Sequence, residues 1–360
     1  MKTIKAEKVT WILLGLIALV LIINLYFTTA MQGITKDLAS QTEELNRAAQ
    51  IQVTTISDAS CSDCFDISTV VDSITSANVE VTSQTELDYT EASAQELIEK
   101  YNIEKLPTVI VTGEIAKEGS PITGLTSVQD ALIFENLEPV YLEVSSGEYR
   151  GRVQATLIQN SECEDCYDLG SFVDTLKELI SISDVNTIEL SDASAEVETY
   201  NLSEVPAVIL SGDLALYPDT VQKLEALGVY VGDDLVLTAK LNPPYWDLAD
   251  DEAKGLVSIV YLTDDSCEDC YNVNIHKTVL ENYGVFLAQE STVDISSSEG
   301  QDLVNKYSIT QVPTIIASSD MKYYTDLEKV WEKVGSVEDD GSYVFRNVSI
   351  VSANYTDLSE

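Results

Sequence analysis

The sequence predicts an α/β protein made of three tandem repeats behind one N-terminal membrane helix. Three observations predict it. Two cysteines separated by two residues recur three times, as Cys61/Cys64, Cys163/Cys166 and Cys267/Cys270, and these account for all six cysteines of the chain. An apolar residue followed by proline recurs 46, 43 and 46 residues after each first cysteine, at Leu106-Pro107, Val205-Pro206 and Val312-Pro313. The third is an uncharged run of 17 residues, Trp11 to Phe27. The first cysteines are 102 and then 104 residues apart, a period too regular for chance when two elements recur together.

The apolar run comes first. Asn24 is its main polar interruption, and with Val9 and Thr28 it is long enough to span a bilayer. Lys2, Lys5 and Lys8 precede it and acidic residues dominate after it, so the N-terminus is expected in the cytoplasm and the rest outside. The expected location is a single-pass cell-membrane protein with extracytoplasmic C-terminal domains. The competing reading is a signal peptide cleaved near Thr28-Thr29-Ala30, although the run exceeds the usual apolar core of one. Either way the cysteines face a compartment where disulfides persist. Residues 1–30 are read as cytoplasmic tip and anchor, and 31–48, with Leu38, Leu45, Ala48 and Ala49 at near-helical spacing, as a helical stalk.

Each repeat then follows one order. A strand (Ile51 to Ile56, Val153 to Ile158, Leu256 to Leu262) leads to the cysteine pair and a helix, whose apolar stripe is clearest at Leu169, Phe172, Val173, Leu176, Leu179 and Ile180. A second strand is expected near Val79 to Val81, Thr187 to Leu190 and Val285 to Ala288. A second helix leads to the proline, and a third strand follows it: Val109 to Val111, Val208 to Leu210, Ile315 to Ala317. A last helix is readable at Leu327 to Val334. Strand–helix–strand–helix–strand means α/β layers. Glu138 to Val153 aligns without gaps on Asn242 to Val257, and Asn354 to Leu358 resembles Tyr245 to Leu248, so each repeat carries a short extension, expected to pack between repeats. Linkers are expected near Ser145–Glu148 and Ala249–Glu252, and the domains at 49–147, 148–250 and 251–360.

The segment Tyr101-Asn102-Ile103-Glu104-Lys105-Leu106-Pro107-Thr108-Val109-Ile110-Val111 resembles the stretch of thioredoxin-like proteins that carries a cis-proline loop, as do Tyr200 to Leu210 and Tyr307 to Ala317. The resemblance extends over everything after about residue 48. It implies three tandem thioredoxin-like domains, cis Pro107, Pro206 and Pro313, and each proline lying against the cysteines of its own repeat. It implies that the loops Leu106-Pro107-Thr108, Val205-Pro206-Ala207 and Val312-Pro313-Thr314 bind substrate by backbone hydrogen bonds. The chain departs from the family in two ways: Ser60, Glu162 and Ser266, not Trp, precede the first cysteines, and the dipeptides between cysteines are acidic.

A cysteine pair at the start of a helix is a dithiol poised for exchange, because helix N–H groups favour the thiolate. Attack is assigned to Cys61, Cys163 and Cys267, and resolution of the mixed disulfide to Cys64, Cys166 and Cys270. The acidic residues Glu162, Glu164 and Asp165 push the other way, raising the thiol pKa and favouring the closed disulfide. Reducing or near-neutral potentials are expected, with Cys61 the most acidic thiol because Ser62 replaces an acid.

The formal charge of −41, from 20 Lys+Arg against 61 Asp+Glu, excludes nucleic acid as a partner, since phosphate binding needs cationic patches. It fits a highly solvated surface. No EF-hand spacing, phosphate loop, Ser-His-Asp grouping or HExxH motif is present. No metal or cofactor is expected. The single histidine, His276, is expected on the helix away from the cysteines, as a surface or packing residue. The leading expectation is a membrane-tethered thiol–disulfide oxidoreductase that reduces, isomerises or relays disulfides. Its partners would be exported proteins with thiols or disulfides, a membrane or extracytoplasmic redox partner, and lipid around the N-terminal helix. Two alternatives remain: a client-binding scaffold with permanently closed disulfides, and an acidic divalent-cation-binding protein.

Overall fold

A computed structural model describes residues 6–117, 122–238 and 242–359. Lys2 and Lys5, on which the orientation of the N-terminus rests, lie outside them, as do the side chains of Lys8, Leu38 and Leu45. The expected anchor and stalk form one continuous helix, α1 (Ala6–Asn46, 41 residues). Its segment Leu13–Gln32 has mean hydropathy 2.2 and is long and apolar enough to cross a membrane. Asn24 is tolerated there because its Nδ2 donates to the Val20 carbonyl at 2.9 Å, within the same helix. Just past the helix, Arg47 bridges Glu44 and Glu114, each at 2.8 Å, so α1 is tied to the first repeat by exposed ion pairs.

Repeat one comprises β1 (Ala49–Ser57), α2 (Ser68–Thr75), β2 (Val79–Asp88), α3 (Ala92–Tyr101), β3 (Lys105–Leu106), β4 (Thr108–Gly113), β5 (Thr126–Val128), β6 (Ala131–Ile133), β7 (Tyr141–Glu143) and β8 (Glu148–Arg150). Repeat two follows as β9 (Val153–Gln159), α4 (Leu169–Leu176), β10 (Ile182–Glu189), α5 (Ser194–Thr199), β11 (Glu204–Val205), β12 (Ala207–Gly212), α6 (Pro218–Leu224), β13 (Gly228–Val231), β14 (Asp234–Thr238), β15 (Tyr245–Asp247) and β16 (Glu252–Lys254). Repeat three holds β17 (Val257–Thr263), α7 (Ile275–Asn282), β18 (Leu287–Asp294), α8 (Ser298–Lys306), β19 (Gln311–Val312), β20 (Thr314–Ala317), α9 (Thr325–Trp331), β21 (Gly335–Val337), β22 (Tyr343–Phe345) and β23 (Thr356–Asp357). The chain divides into two compact bodies, Met1–Arg150 with repeat one and Gly151–Glu360 with repeats two and three.

The main sheets have one order: β2-β1-β4-β6-β5, β10-β9-β12-β14-β13 and β18-β17-β20-β22-β21. The first pair in each is parallel and the others antiparallel, which is the thioredoxin-like arrangement. Alternation along the central strands feeds two cores per sheet. Val208 and Leu210 face one core with Leu169, Val173 and Leu176 of α4; Ile209 faces the other with Leu202 and Val236. The second strand in each repeat proves longer and, in repeat three, later than the sequence suggests. It is an edge strand with mostly exposed polar residues, so no hydrophobic alternation marks it.

The sheet ends in a hairpin that the sequence left unplaced. One tyrosine pins it in each repeat: Tyr101, Tyr200 and Tyr307 donate to Asp130, Asp234 and Asp340 at 3.1, 2.8 and 3.0 Å. The next residue, Asn102, Asn201 or Ser308, is left-handed (φ 53°, 50° and 50°) and turns the chain from the helix into the proline strand.

The extension of repeat two packs against repeat three as expected, its Tyr245 ring meeting that of Tyr323 edge-on with centroids 5.9 Å apart, while the strand pairing of every extension is internal. Each returns to its own repeat: β7 pairs with β3, β15 with β11 and β23 with β19. The segments expected as linkers, Ser145–Glu148 and Ala249–Glu252, lie at the turns of the hairpins β7–β8 and β15–β16. Backbone pairing to the proline strand satisfies N–H and C=O groups that these strands would otherwise leave unpaired.

Candidate functional site: the cysteine pairs and proline loops

All three pairs are disulfides, Cys61–Cys64, Cys163–Cys166 and Cys267–Cys270, and all six cysteines are half-buried. They do not start a helix. The pairs sit in the turn after β1, β9 and β17, and α2, α4 and α7 begin three to five residues beyond the second cysteine. The reason is an Asx residue two positions after each second cysteine. Asp66 accepts from Ser68 N (2.9 Å), Asp168 from Gly170 N (2.8 Å), and Asn272 from Asn274 N (3.0 Å). Their side chains turn the chain there and defer the helix. The thiolate stabilisation expected from helix N–H groups is therefore displaced from the sulfurs.

A second Asx residue, three positions before each first cysteine, shapes the other side of the turn. Asp58 accepts from Ser60 N at 2.8 Å, Asn160 from Glu162 N at 3.1 Å and Asp264 from Ser266 N at 3.0 Å. Their carbonyls accept from the first-cysteine N–H groups at 3.2, 3.0 and 3.1 Å. The acid closing each edge strand completes the frame. Asp88, Glu189 and Asp294 accept from Ala59 N, Ser161 N and Asp265 N at 3.1, 3.1 and 2.6 Å. Hydrogen bonds from Ser266 and Thr356 hold Asp264 below the usual carboxylate range, and those from Ser296 and Asp265 do the same for Asp294. Burial pushes Asp58 up, but hydrogen bonds from Tyr149 and Ser60 more than offset it and leave it lowered. The sulfurs thus sit among ionised carboxylates. In repeat one Asp63 Oδ1 lies 3.5 Å from Cys61 Sγ, so a carboxylate stands beside this pair too, although Ser62 replaces an acid. The dipeptides between cysteines carry only part of this charge; the two Asx positions went unread in the sequence, although both recur at fixed offsets in all three repeats.

Leu106-Pro107, Val205-Pro206 and Val312-Pro313 are cis. In repeat two Cys163, Cys166 and Pro206 line one pocket of about 220 Å³, with Asn160, Tyr167 and Asp168. In repeat three a side-chain relay joins the two elements. Tyr271, next to Cys270, donates to the Pro313 carbonyl at 2.6 Å, so His276 Nε2 at 2.9 Å must be the donor to the tyrosine oxygen. His276 is buried, 4.5 Å from the Phe345 ring, and burial pushes it down to about 4. It packs as expected, against the Tyr271 hydroxyl and the Phe345 ring. Of the residues after the prolines, Thr108 and Thr314 donate to the carbonyls of Phe134 and Phe345 at 2.7 and 2.6 Å, clamping the loop to the sheet; Ala207 has no such group.

The returning extension lies across both elements. The residue after each second cysteine, Phe65, Tyr167 or Tyr271, donates its N–H to the extension carbonyl of Val140, Pro244 or Asn354 at 2.8, 2.7 and 3.2 Å. Leu106 is in register with Leu142, Val205 with Trp246 and Val312 with Thr356. Two residues further along each ladder, Val144, Leu248 and Leu358 donate to Glu104, Ser203 and Thr310 at 2.9, 2.9 and 2.7 Å. Antiparallel ladders alternate, so the residue before each proline also exchanges both backbone bonds with its extension partner. Thr356 Oγ1 lies 3.7 Å from Cys270 Sγ. Among the described residues no group of three or more His, Cys, Asp or Glu side chains is arranged to hold a metal ion.

No protein-family model matches the chain, and no curated protein matches it. Among solved structures, the alkylhydroperoxide reductase AhpF of Enterococcus faecalis aligns at 16% identity over 46% of this chain and 81% of its own, with a TM-score of 0.17. Human ERp44 in its zinc-bound form aligns at 11% over 80% and 86%, with a TM-score of 0.15. A protein disulfide oxidoreductase from Aeropyrum pernix aligns at 16% over 51% and 88%, with a TM-score of 0.15.

Proposed function

We propose that the chain is a membrane-tethered thiol–disulfide oxidoreductase whose three repeats reduce, isomerise or relay disulfides in exported proteins outside the cytoplasm. The observation that carries this reading is the pocket of repeat two, where both sulfurs and the cis-proline share one wall of an open concavity. In the reduced pair the first sulfur attacks a substrate disulfide and one substrate thiol leaves. The second cysteine then attacks the mixed disulfide and the other thiol leaves. Two electrons pass to the substrate, and a thiol reductant from a redox partner restores the pair. Tethering rests on the apolar helix, which a signal sequence would equally provide.

The test is insulin reduction and refolding of scrambled ribonuclease, with Cys61, Cys163 and Cys267 each and then jointly changed to Ser. Turnover is expected to fall stepwise and vanish in the triple variant. Turnover that survives the triple variant eliminates the reading. Protease protection of vesicle-embedded protein checks the orientation: lumenal repeats are expected to be shielded.

A second reading has its own observation. The carboxylates around each pair favour the closed disulfide, and the backbone edge beside each proline is already filled. A scaffold that never opens its disulfides would show no turnover in either assay and no alkylation after mild reduction.

A further inference from the structure

We propose that the three extensions act as internal straps, each a built-in competitor for the strand-pairing edge beside its cysteine pair. This rests on the oxidoreductase reading and specifies which substrates reach the sulfurs. An extended polypeptide docks on a sheet edge through main-chain N–H and C=O groups. In each repeat the edge nearest the sulfurs is the two-residue strand before the proline, and its last residue spends both backbone groups on the strap. The strap also takes the N–H that follows the second cysteine. A small disulfide needs none of these groups and enters through the half-exposed first cysteine. An extended peptide must displace the strap.

The straps are not held equally. β7 and β15 are each backed by a second strand, β8 or β16, in three-stranded sheets. Among the described residues β23 pairs with β19 alone, in a two-stranded sheet. Its further ties are the bonds from Tyr271 N to Asn354 O, from Leu358 N to Thr310 O and from Thr356 Oγ1 to Asp264, with Tyr355 and Leu358 packed on the cores of the repeat.

The test keeps Cys267–Cys270 as the one pair in the full chain, with Cys61, Cys64, Cys163 and Cys166 changed to Ser. The pair is pre-reduced and offered either hydroxyethyl disulfide or a fluorogenic extended peptide disulfide. Each turnover moves two electrons from the pair to the substrate, leaving the pair closed and two substrate thiols. A second protein ends after Ser352. A strap open about a tenth of the time weakens peptide docking about tenfold. Truncation is thus expected to speed peptide reduction about tenfold and to change hydroxyethyl disulfide reduction by less than about twofold. A synthetic peptide of residues 353–359 should reverse the gain. Equal peptide rates in both proteins, or equal acceleration of both substrates, overturns the proposal. If the truncated chain loses its native circular dichroism, Thr356→Pro, which removes the N–H facing Val312, takes its place with the same expectations. If neither disulfide oxidises the pair, the redox reading has failed. The strap is then judged by anisotropy of a Ser-for-Cys version of the peptide, which should bind the truncated protein about tenfold tighter and overturns the proposal if it does not.

Discussion

The Tyr271 hydroxyl donates to the carbonyl of Pro313 at 2.6 Å, joining the residue beside a cysteine to the proline 42 positions later. His276 completes the relay by donating to the same oxygen at 2.9 Å. Neither neighbouring repeat carries this pair of residues: Phe65 and Tyr167 stand at the first position, Val70 and Phe172 at the second. Tyr271→Phe leaves the Pro313 carbonyl and the His276 N–H without this partner in a buried place. It is expected to lower the stability of repeat three by about 1–3 kcal/mol, read by urea denaturation. A change within experimental error would show that the relay contributes nothing.

His276 makes the same repeat acid-sensitive. Its pKa is about 4 when folded, against 6.5 for an unburied imidazole. The unfolded chain then binds more protons between those values, so stability falls as the pH drops from 6.5 towards 4. The loss amounts to about 3 kcal/mol at most. Carboxylates also titrate near the lower end, so His276→Phe is the control. Its denaturation midpoint should vary less between pH 7 and 4.5 than that of the parent, and an unchanged slope would count against a buried neutral imidazole.

Asp63 sits 3.5 Å from Cys61 Sγ, where it opposes negative charge on that sulfur. Asp63→Asn should accelerate iodoacetamide labelling of reduced Cys61 at pH 7 several-fold, roughly threefold to tenfold. Glu164→Gln/Asp165→Asn should do the same for Cys163. Identical labelling rates would mean that solvent screens these carboxylates.

With the sulfurs outside the helix and ringed by acids, the pairs should be hard to reduce. Equilibration of single-pair variants against dithiothreitol is expected to give reducing to near-neutral potentials. A value near about −120 mV, that of a strong oxidant, is incompatible with this electrostatic account.

The Asx turns should matter for stability more than for chemistry. Asp168 accepts from both Gly170 N and Ser171 N at the start of α4. Asp168→Ala should cost about 1 kcal/mol, and Asp168→Asn much less, by thermal melts.

The amino-acid sequence by itself determined the repeat, the layer order, the cysteine pairs and the positions of the prolines. These are written in fixed spacings and in apolar periodicity, which need no partner to be read. The Asx positions were equally present, since Asp58, Asn160 and Asp264 recur at one offset, but their meaning depends on which N–H groups the turn delivers to them. Tertiary structure alone decided where the helices begin relative to the sulfurs and which way His276 faces. It also decided that residues such as Trp246 and Thr356 lie alongside the proline strands, 41 and 44 positions after their partners Val205 and Val312. Two-residue strands carry no periodicity, and a backbone edge will pair with whatever chain the fold brings to it.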